Sequence, residues 1–253
     1  MATFGLKLVN SLGTFLLNST NGITIQTPDE SFISRINPII VPRKDGALLD
    51  SSLYLEPKII TLNGIIRGTT KEAYRTYKDT FKKNLETSSL KFYIFDDRYI
   101  NVQKSSCPIR DYITGLLGEF SLDFIAADPF WYATSASYTE KTTSATSYDF
   151  TTAAPAGNAP SLPTITVTAD SDFTNPSVQN RSLTNLPLFS HMGSGQIWVV
   201  DYALFTATMG GSNSLSLLSG DFWDLLPGAN TIRFTQDAAI EVTIRVDWTD
   251  RWY

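Results

Sequence analysis

Apolar residues along the chain fall mostly in short runs or in strict alternation, the pattern of β-strands. Phe4-Gly-Leu-Lys-Leu-Val and Thr14-Phe-Leu-Leu are apolar runs parted by Asn10-Ser-Leu-Gly, a turn signal, and Gly22-Ile-Thr-Ile-Gln-Thr alternates with period two. Ile36-Asn-Pro-Ile-Ile-Val-Pro and Pro57-Lys-Ile-Ile-Thr-Leu-Asn-Gly-Ile-Ile-Arg-Gly follow, with prolines 38, 42 and 57 marking strand ends or edges. Between them Arg43-Lys-Asp-Gly-Ala reads as a loop. Leu90-Lys-Phe-Tyr-Ile-Phe, the turn Asp96-Asp97 and Arg98-Tyr-Ile-Asn-Val-Gln form a hairpin pattern, and Gly118-Glu-Phe-Ser-Leu-Asp-Phe-Ile alternates again.

One segment has a different period. From Thr70 to Glu86 the apolar positions Ala73, Tyr74, Tyr77, Phe81 and Leu85 make a helical stripe, with Lys71, Arg75, Lys78, Lys82 and Lys83 elsewhere around the wheel. Thr69 and Glu72 stand at capping-box spacing, which satisfies backbone N–H groups at a helix start. The spacing therefore predicts one amphipathic helix over Lys71 to Leu85, lying on a sheet with Tyr74, Tyr77, Phe81 and Leu85 as its core side. Its basic face reads as solvated.

After residue 133 the strands continue: Pro163-Thr-Ile-Thr-Val-Thr, Gln196-Ile-Trp-Val-Val-Asp-Tyr, Ala229-Asn-Thr-Ile-Arg-Phe and Ile240-Glu-Val-Thr-Ile-Arg-Val-Asp-Trp. Turn signals at Met209-Gly-Gly-Ser-Asn and Leu226-Pro-Gly-Ala-Asn separate them. Many short strands, dense turns and a single helix imply a mainly β protein built of sandwiches or barrels.

Charge divides the chain. Residues 1–132 carry net +1, from 15 Lys and Arg against 14 Asp and Glu, whereas residues 133–253 carry net -6, from 5 against 11. The break meets a Ser/Thr/Ala-rich stretch, Thr134-Ser-Ala-Ser and then Lys141-Thr-Thr-Ser-Ala-Thr-Ser. A domain boundary is expected near 133, giving domains 1–133 and 134–253. An overall charge of -5 argues against a basic nucleic-acid binder. Neither a signal-peptide pattern nor an apolar run of membrane-spanning length occurs, so folding in a cytoplasm without membrane insertion is expected.

Catalytic vocabulary is thin. With one His and one Cys among 253 residues, no disulfide within the chain and no Cys/His zinc cluster is possible. His191, in a Ser190-His-Met-Gly turn context, reads as structural or superficial, and no Gly-x-Ser-x-Gly elbow exists for it to serve. Cys107, before Pro108, reads as an idle thiol. Asp221 and Asp224 could pair as glycosidase carboxylates, but nothing distinguishes them. The expectation is no enzyme, no catalytic residue, no metal and no cofactor. Aromatic residues offer more: Trp198 and Trp248 lie in alternating strands and belong to a core, while Trp223, near a turn, is the candidate for stacking on a glycan. A carbohydrate-binding sandwich using exposed Trp or Tyr is thus the alternative reading of function.

The order of elements also resembles a known family. Ile59-Ile-Thr-Leu-Asn-Gly-Ile-Ile-Arg-Gly, the helix from Lys71 to Leu85, the hairpin containing Asp97-Arg-Tyr-Ile and Ala127-Asp-Pro-Phe-Trp-Tyr resemble the distal tail protein family of phages with long non-contractile tails. Gly220-Asp-Phe-Trp-Asp-Leu-Leu-Pro-Gly-Ala-Asn-Thr-Ile and the terminal Val246-Asp-Trp-Thr-Asp-Arg-Trp are similar to that family's late turn and ending. The resemblance implies a ring-forming N-terminal domain of tail-tube-like fold, with one helix, and an outward-facing galectin-like or carbohydrate-module-like C-terminal sandwich. It further implies a homohexameric hub at the distal end of the virion tail, assembled in the host cytoplasm. Such a hub joins the tail tube protein, the tape-measure protein and a tail-tip or tail-associated protein, and DNA crosses its lumen transiently.

Overall fold

The computed structural model describes residues 4–26, 28–31, 34–35, 38–40, 47–49, 54–152, 154–181, 188–189, 191–192 and 195–253. Two compact units divide the chain, Met1–Thr134 and Ser135–Tyr253.

In the first unit a seven-strand path runs in the order Gly13–Leu16, Phe4–Asn10, Leu90–Phe95, Arg98–Ser106, Leu117–Ala126, Lys58–Arg67 and Ile23–Ile25. Its longest pairing is antiparallel over ten residues, Leu117–Ala126 against Lys58–Arg67, with Leu122 opposite Leu62 and Phe124 opposite Ile60. Alternation sets the faces: Ile60, Leu62, Ile66, Phe120, Leu122 and Phe124 are buried on one side of these strands. Only residues 17–22 link the two edge strands of the path, so the edges lie near each other and the sheet curls around its apolar face.

The helix, Lys71–Leu85, covers the opening between them. Phe81 is fully buried, with its ring 6.4 Å from Phe15 on one edge and 4.8 Å from Phe120 on the central strand. Tyr74 and Leu85 are buried beside it, while Tyr77 is half-buried against Gly22. A side chain at Gly22 would collide with the Tyr77 ring at 2.3 Å, and its φ of +69° also favours glycine. The helix cap differs from the expected one. Thr70, not Thr69, accepts the Ala73 N–H at 3.1 Å, which puts Ala73 at the third helical position and leaves Glu72 unable to close a capping box. Asn84 is buried too, accepting a hydrogen bond from Asn10 on the neighbouring strand, a polar tie that an apolar stripe does not reveal.

The expected hairpin is present, as Leu90–Phe95 and Arg98–Ser106. Of Ile36–Pro42, Pro38–Ile40 is a strand paired with Ala47–Leu49; the rest, and 43–46 of the proposed loop, lie outside the described residues.

The second unit is a two-sheet sandwich. One sheet orders Ser137–Thr143, Val242–Trp248, Thr164–Ala169, Ile197–Asp201, Thr206–Met209 and Ser212–Asn213. The other orders Ser147–Thr151, Thr231–Thr235, Ser177–Asn180, Leu188–Phe189 and Leu218–Ser219. Inward residues of both sheets, such as Ile165, Trp198, Ile244, Val178 and Phe234, make one core. The Ser/Thr-rich stretch is therefore strand over 137–143 and 147–151: threonines suit a pleated, half-exposed surface, and Thr142 and Thr243 hydroxyls bond across strands at 2.9 Å.

Asn230 organises the late turn. Its amide donates to Leu226 O and Gly228 O and its carbonyl accepts from Leu226 N and Asn180 Nδ2, so every polar atom of the buried side chain is used.

Candidate assembly surfaces

The first unit presents two unlike outer surfaces. On the long strands, residues alternating with the core form an open sheet face. Thr24, Ile65, Glu119 and Arg110 stand in one row across neighbouring strands, with Asn63 and Ser121 in the next. Asp29, Thr61 and Asp123 make a third, and Ile59 and Ile125 face each other in a fourth. Asp123 is tied down, accepting from Thr61 Oγ1 and Ser106 Oγ at 2.8 Å each. A shallow depression of about 620 Å³ lies on this face, lined by Thr24, Gln26, Asn63, Arg110, Glu119 and Ser121 among others. Ile59, Ile65 and Ile125 add apolar surface to this face, at 39–45% exposure.

The other surface is the solvent side of the helix, with exposed Lys71, Arg75, Lys82 and Lys83. Since the helix sits on the apolar side of the sheet, its cations point away from the open sheet face. Asp111 clasps the helix to the Ile109–Asp111 strand: Lys78 Nζ donates at 2.6 and 2.8 Å, and Tyr74 Oη donates as well. Lys78 and then Tyr74 hold the Asp111 carboxyl below the usual carboxylate range, while burial and the Asp111 hydrogen bond push the Tyr74 phenol up.

Sequence-nominated chemical residues are not brought together. Trp223 is 2% exposed and packs in the second unit's core 4.9 Å from the Tyr202 ring, so it offers no face to a sugar; its place next to a turn gave no sign of that burial. His191 pairs its backbone with Thr174 in a two-residue strand instead of forming a turn, and its side chain lies outside the described residues. Burial pushes the Cys107 thiol up to about 11. Asp224 is raised by burial, against the opposing pull of Arg251, whereas Asp221 is exposed. Among the described residues no group of three or more His, Cys, Asp or Glu could hold a metal ion. The open sheet face, in contrast, is absent from the sequence-based candidates; its signal was the apolar Ile59, Ile65 and Ile125 on the polar side of alternating strands.

Residues 156–252 match the family model described as siphovirus-type tail component, C-terminal domain. The whole fold is similar to that of the Dit protein (gp 19.1) of phage SPP1, described as a paradigm of the hub adsorption apparatus in phages infecting Gram-positive bacteria. The TM-score is 0.72 at 14% identity, covering 98% of this chain and 99% of that one. A chain from the tail of an empty GTA particle, refined with C6 symmetry, covers 52% of this chain at 12% identity, with a TM-score of only 0.33. No curated protein matches the sequence. The first two findings bear out the resemblance to the distal tail protein family and the mainly β fold with one helix that it implies.

Proposed function

We propose, for a chain that shares its fold with SPP1 Dit and its C-terminal sequence with siphovirus-type tail components, that it is a non-enzymatic hub of a phage tail tip. Six copies close a ring through the first unit, the second unit faces outward, and the ring joins the tail tube and tape-measure protein to the tip proteins at the distal end of the tail. The open sheet face lines the lumen through which DNA passes.

The observation that carries this reading is the segregation of charge in the first unit. A conduit must not grip phosphates, because each neutralised phosphate adds salt-dependent affinity. The helix holds Lys71, Arg75, Lys82 and Lys83 on the side away from the sheet face, whose middle rows are Thr24, Asn63, Ser121 and Thr61 with the carboxylates Glu119 and Asp123; of the cations on that face, exposed Arg67 lies at its end, opposite Leu117. Arg110 is paired in register with Glu119. Such a surface lets DNA slide. Trp223 is buried, so the alternative, a sandwich that binds a glycan through exposed Trp or Tyr, falls to residues such as Tyr138, which is exposed.

Light scattering of the full chain across a dilution series, with negative-stain images, tests the reading. The expected result is sixfold rings of roughly six times the 28.0 kDa chain mass. A protein that stays monomeric at high concentration overturns it.

A further inference from the structure

The hairpin joining Ile197–Asp201 to Thr206–Met209 turns Leu204 and Phe205 to solvent, at 70% and 60% exposure. Phe205 has φ +53°, a left-handed backbone that a bulky side chain disfavours. Local contacts hold it there. Asp201 Oδ1 accepts from Ala203 N at 2.9 Å and from Leu204 N at 3.0 Å, which fixes the turn. The Phe205 ring stands edge-on to half-buried Phe222 at 5.2 Å, and Phe222 stands edge-on to buried Tyr202 at 5.2 Å. The turn Leu215–Leu217 lies against the same hairpin, where Ser214 N donates to Ala207 O at 2.8 Å, and leaves Leu215 and Leu217 exposed as well. Apolar residues scattered singly over a surface are ordinary. A group of them around a strained, fixed backbone marks a surface that a partner covers.

Charge says what that partner carries. From residue 182 to residue 232 the chain has no Lys or Arg, and its acids are Asp201, Asp221 and Asp224. Asp201 forms the base of the tip and exposed Asp221 precedes Phe222, so carboxylates flank the apolar group. The nearest arginines in sequence, Arg181 and Arg233, are both bound to Asp149. An apolar surface flanked by negative charge favours an apolar partner that brings cations and disfavours an acidic one. A second copy is a poor match, because the basic helix face of Lys71, Arg75, Lys82 and Lys83 presents no exposed large apolar residue.

We propose that the patch of Leu204, Phe205 and Phe222 docks a basic amphipathic segment of another protein, with its apolar side chains against the rings and its Lys or Arg toward Asp201 and Asp221. The contact lies wholly within the second unit. It goes beyond the hub reading and stands or falls apart from it, because it does not depend on how copies of the chain assemble.

The test titrates the full chain calorimetrically with a synthetic amphipathic helical peptide of Leu and Lys, and with a matched peptide carrying Glu for every Lys. The Leu/Lys peptide should bind, and the Leu/Glu peptide should bind at least roughly tenfold more weakly. Phe205→Gly keeps the left-handed backbone without penalty and Leu204→Ser alters an exposed position, so both variants should melt near the unaltered chain. Each should raise the Kd roughly tenfold, the loss expected of an anchor residue. Asp221→Lys should raise it roughly threefold or more. Tyr138→Ser, at an exposed aromatic on the Ser137–Thr143 strand of the same unit, should leave it unchanged. Rings that persist in the tip variants while peptide binding is lost support the proposal. An unaltered Kd in both tip variants overturns it, as does a Leu/Glu peptide that binds equally well or a Leu/Lys peptide that does not bind. If the tip variants instead dissociate assemblies of the chain itself, a second copy occupies the patch and the proposal is overturned.

Discussion

Replacing Phe81 with alanine probes the packing that holds the first unit together. The side chain is fully buried where the helix crosses the opening of the sheet, touching Phe120 on one side and Phe15 on the other. Truncating a buried aromatic costs about 3–5 kcal/mol, from lost transfer energy and the cavity left behind. Tilted ring pairs such as these add about 0.5–1.5 kcal/mol beyond burial. Collapse of the cavity is hindered because its walls belong to separate strands locked in register, so the upper part of the range, about 4–5 kcal/mol, is expected. For a domain of this size that is a drop of roughly 10–20 °C in the unit's melting temperature. Tyr77→Ala, at a half-buried position on the same helix, should cost about 1–2 kcal/mol and serves as the reference. Urea unfolding followed by tryptophan fluorescence and circular dichroism measures both. A Phe81→Ala loss below about 1 kcal/mol, or one no larger than that of Tyr77→Ala, refutes the reading that this face is the core.

Three further outcomes are expected. Arg233 and then Arg181 hold Asp149 down to about 2, so its contribution to stability is fully present above its unfolded value near 3.8 and fades as pH falls toward 2; Asp149→Asn should lower the melting temperature at pH 6 and the difference from the unaltered chain should close between pH 3.8 and 2, whereas a difference that does not change with pH would refute the linkage. Cys107, raised by burial from 9.0 to about 11, should alkylate about 100-fold more slowly in the folded protein than after denaturation, as followed by mass spectrometry; equal rates would show an open thiol. The Tyr202 hydroxyl is buried against Trp223 without a well-formed hydrogen bond among the described residues, so Tyr202→Phe should hold or raise stability by about 1 kcal/mol in urea titration, and a clear loss would reveal a partner for the hydroxyl.

Local periodicity alone determined much of this protein. Alternation in Lys58–Arg67, Leu117–Ala126 and Val242–Trp248 and the stripe through Tyr74 and Phe81 fixed which side of each element is apolar, because side-chain direction follows backbone period wherever the element later packs. The order of those elements, with motifs such as Asp221-Phe-Trp-Asp, sufficed for the family resemblance. Tertiary structure decided the rest. Thr70 took the cap because the first helical hydrogen bonds, and not the residue spacing, set where the helix begins. The Ser/Thr-rich stretch became two strands because neighbours at Val242–Trp248 and Thr231–Thr235 pair with it, a long-range partnership that local composition cannot contain. Trp223 went into the core because Tyr202, 21 positions earlier in the sequence, packs beside it. The open sheet face, the helix cations turned away from it and the strained tip at Phe205 are relations between segments distant in the chain. Such relations exist only once the sheets have closed.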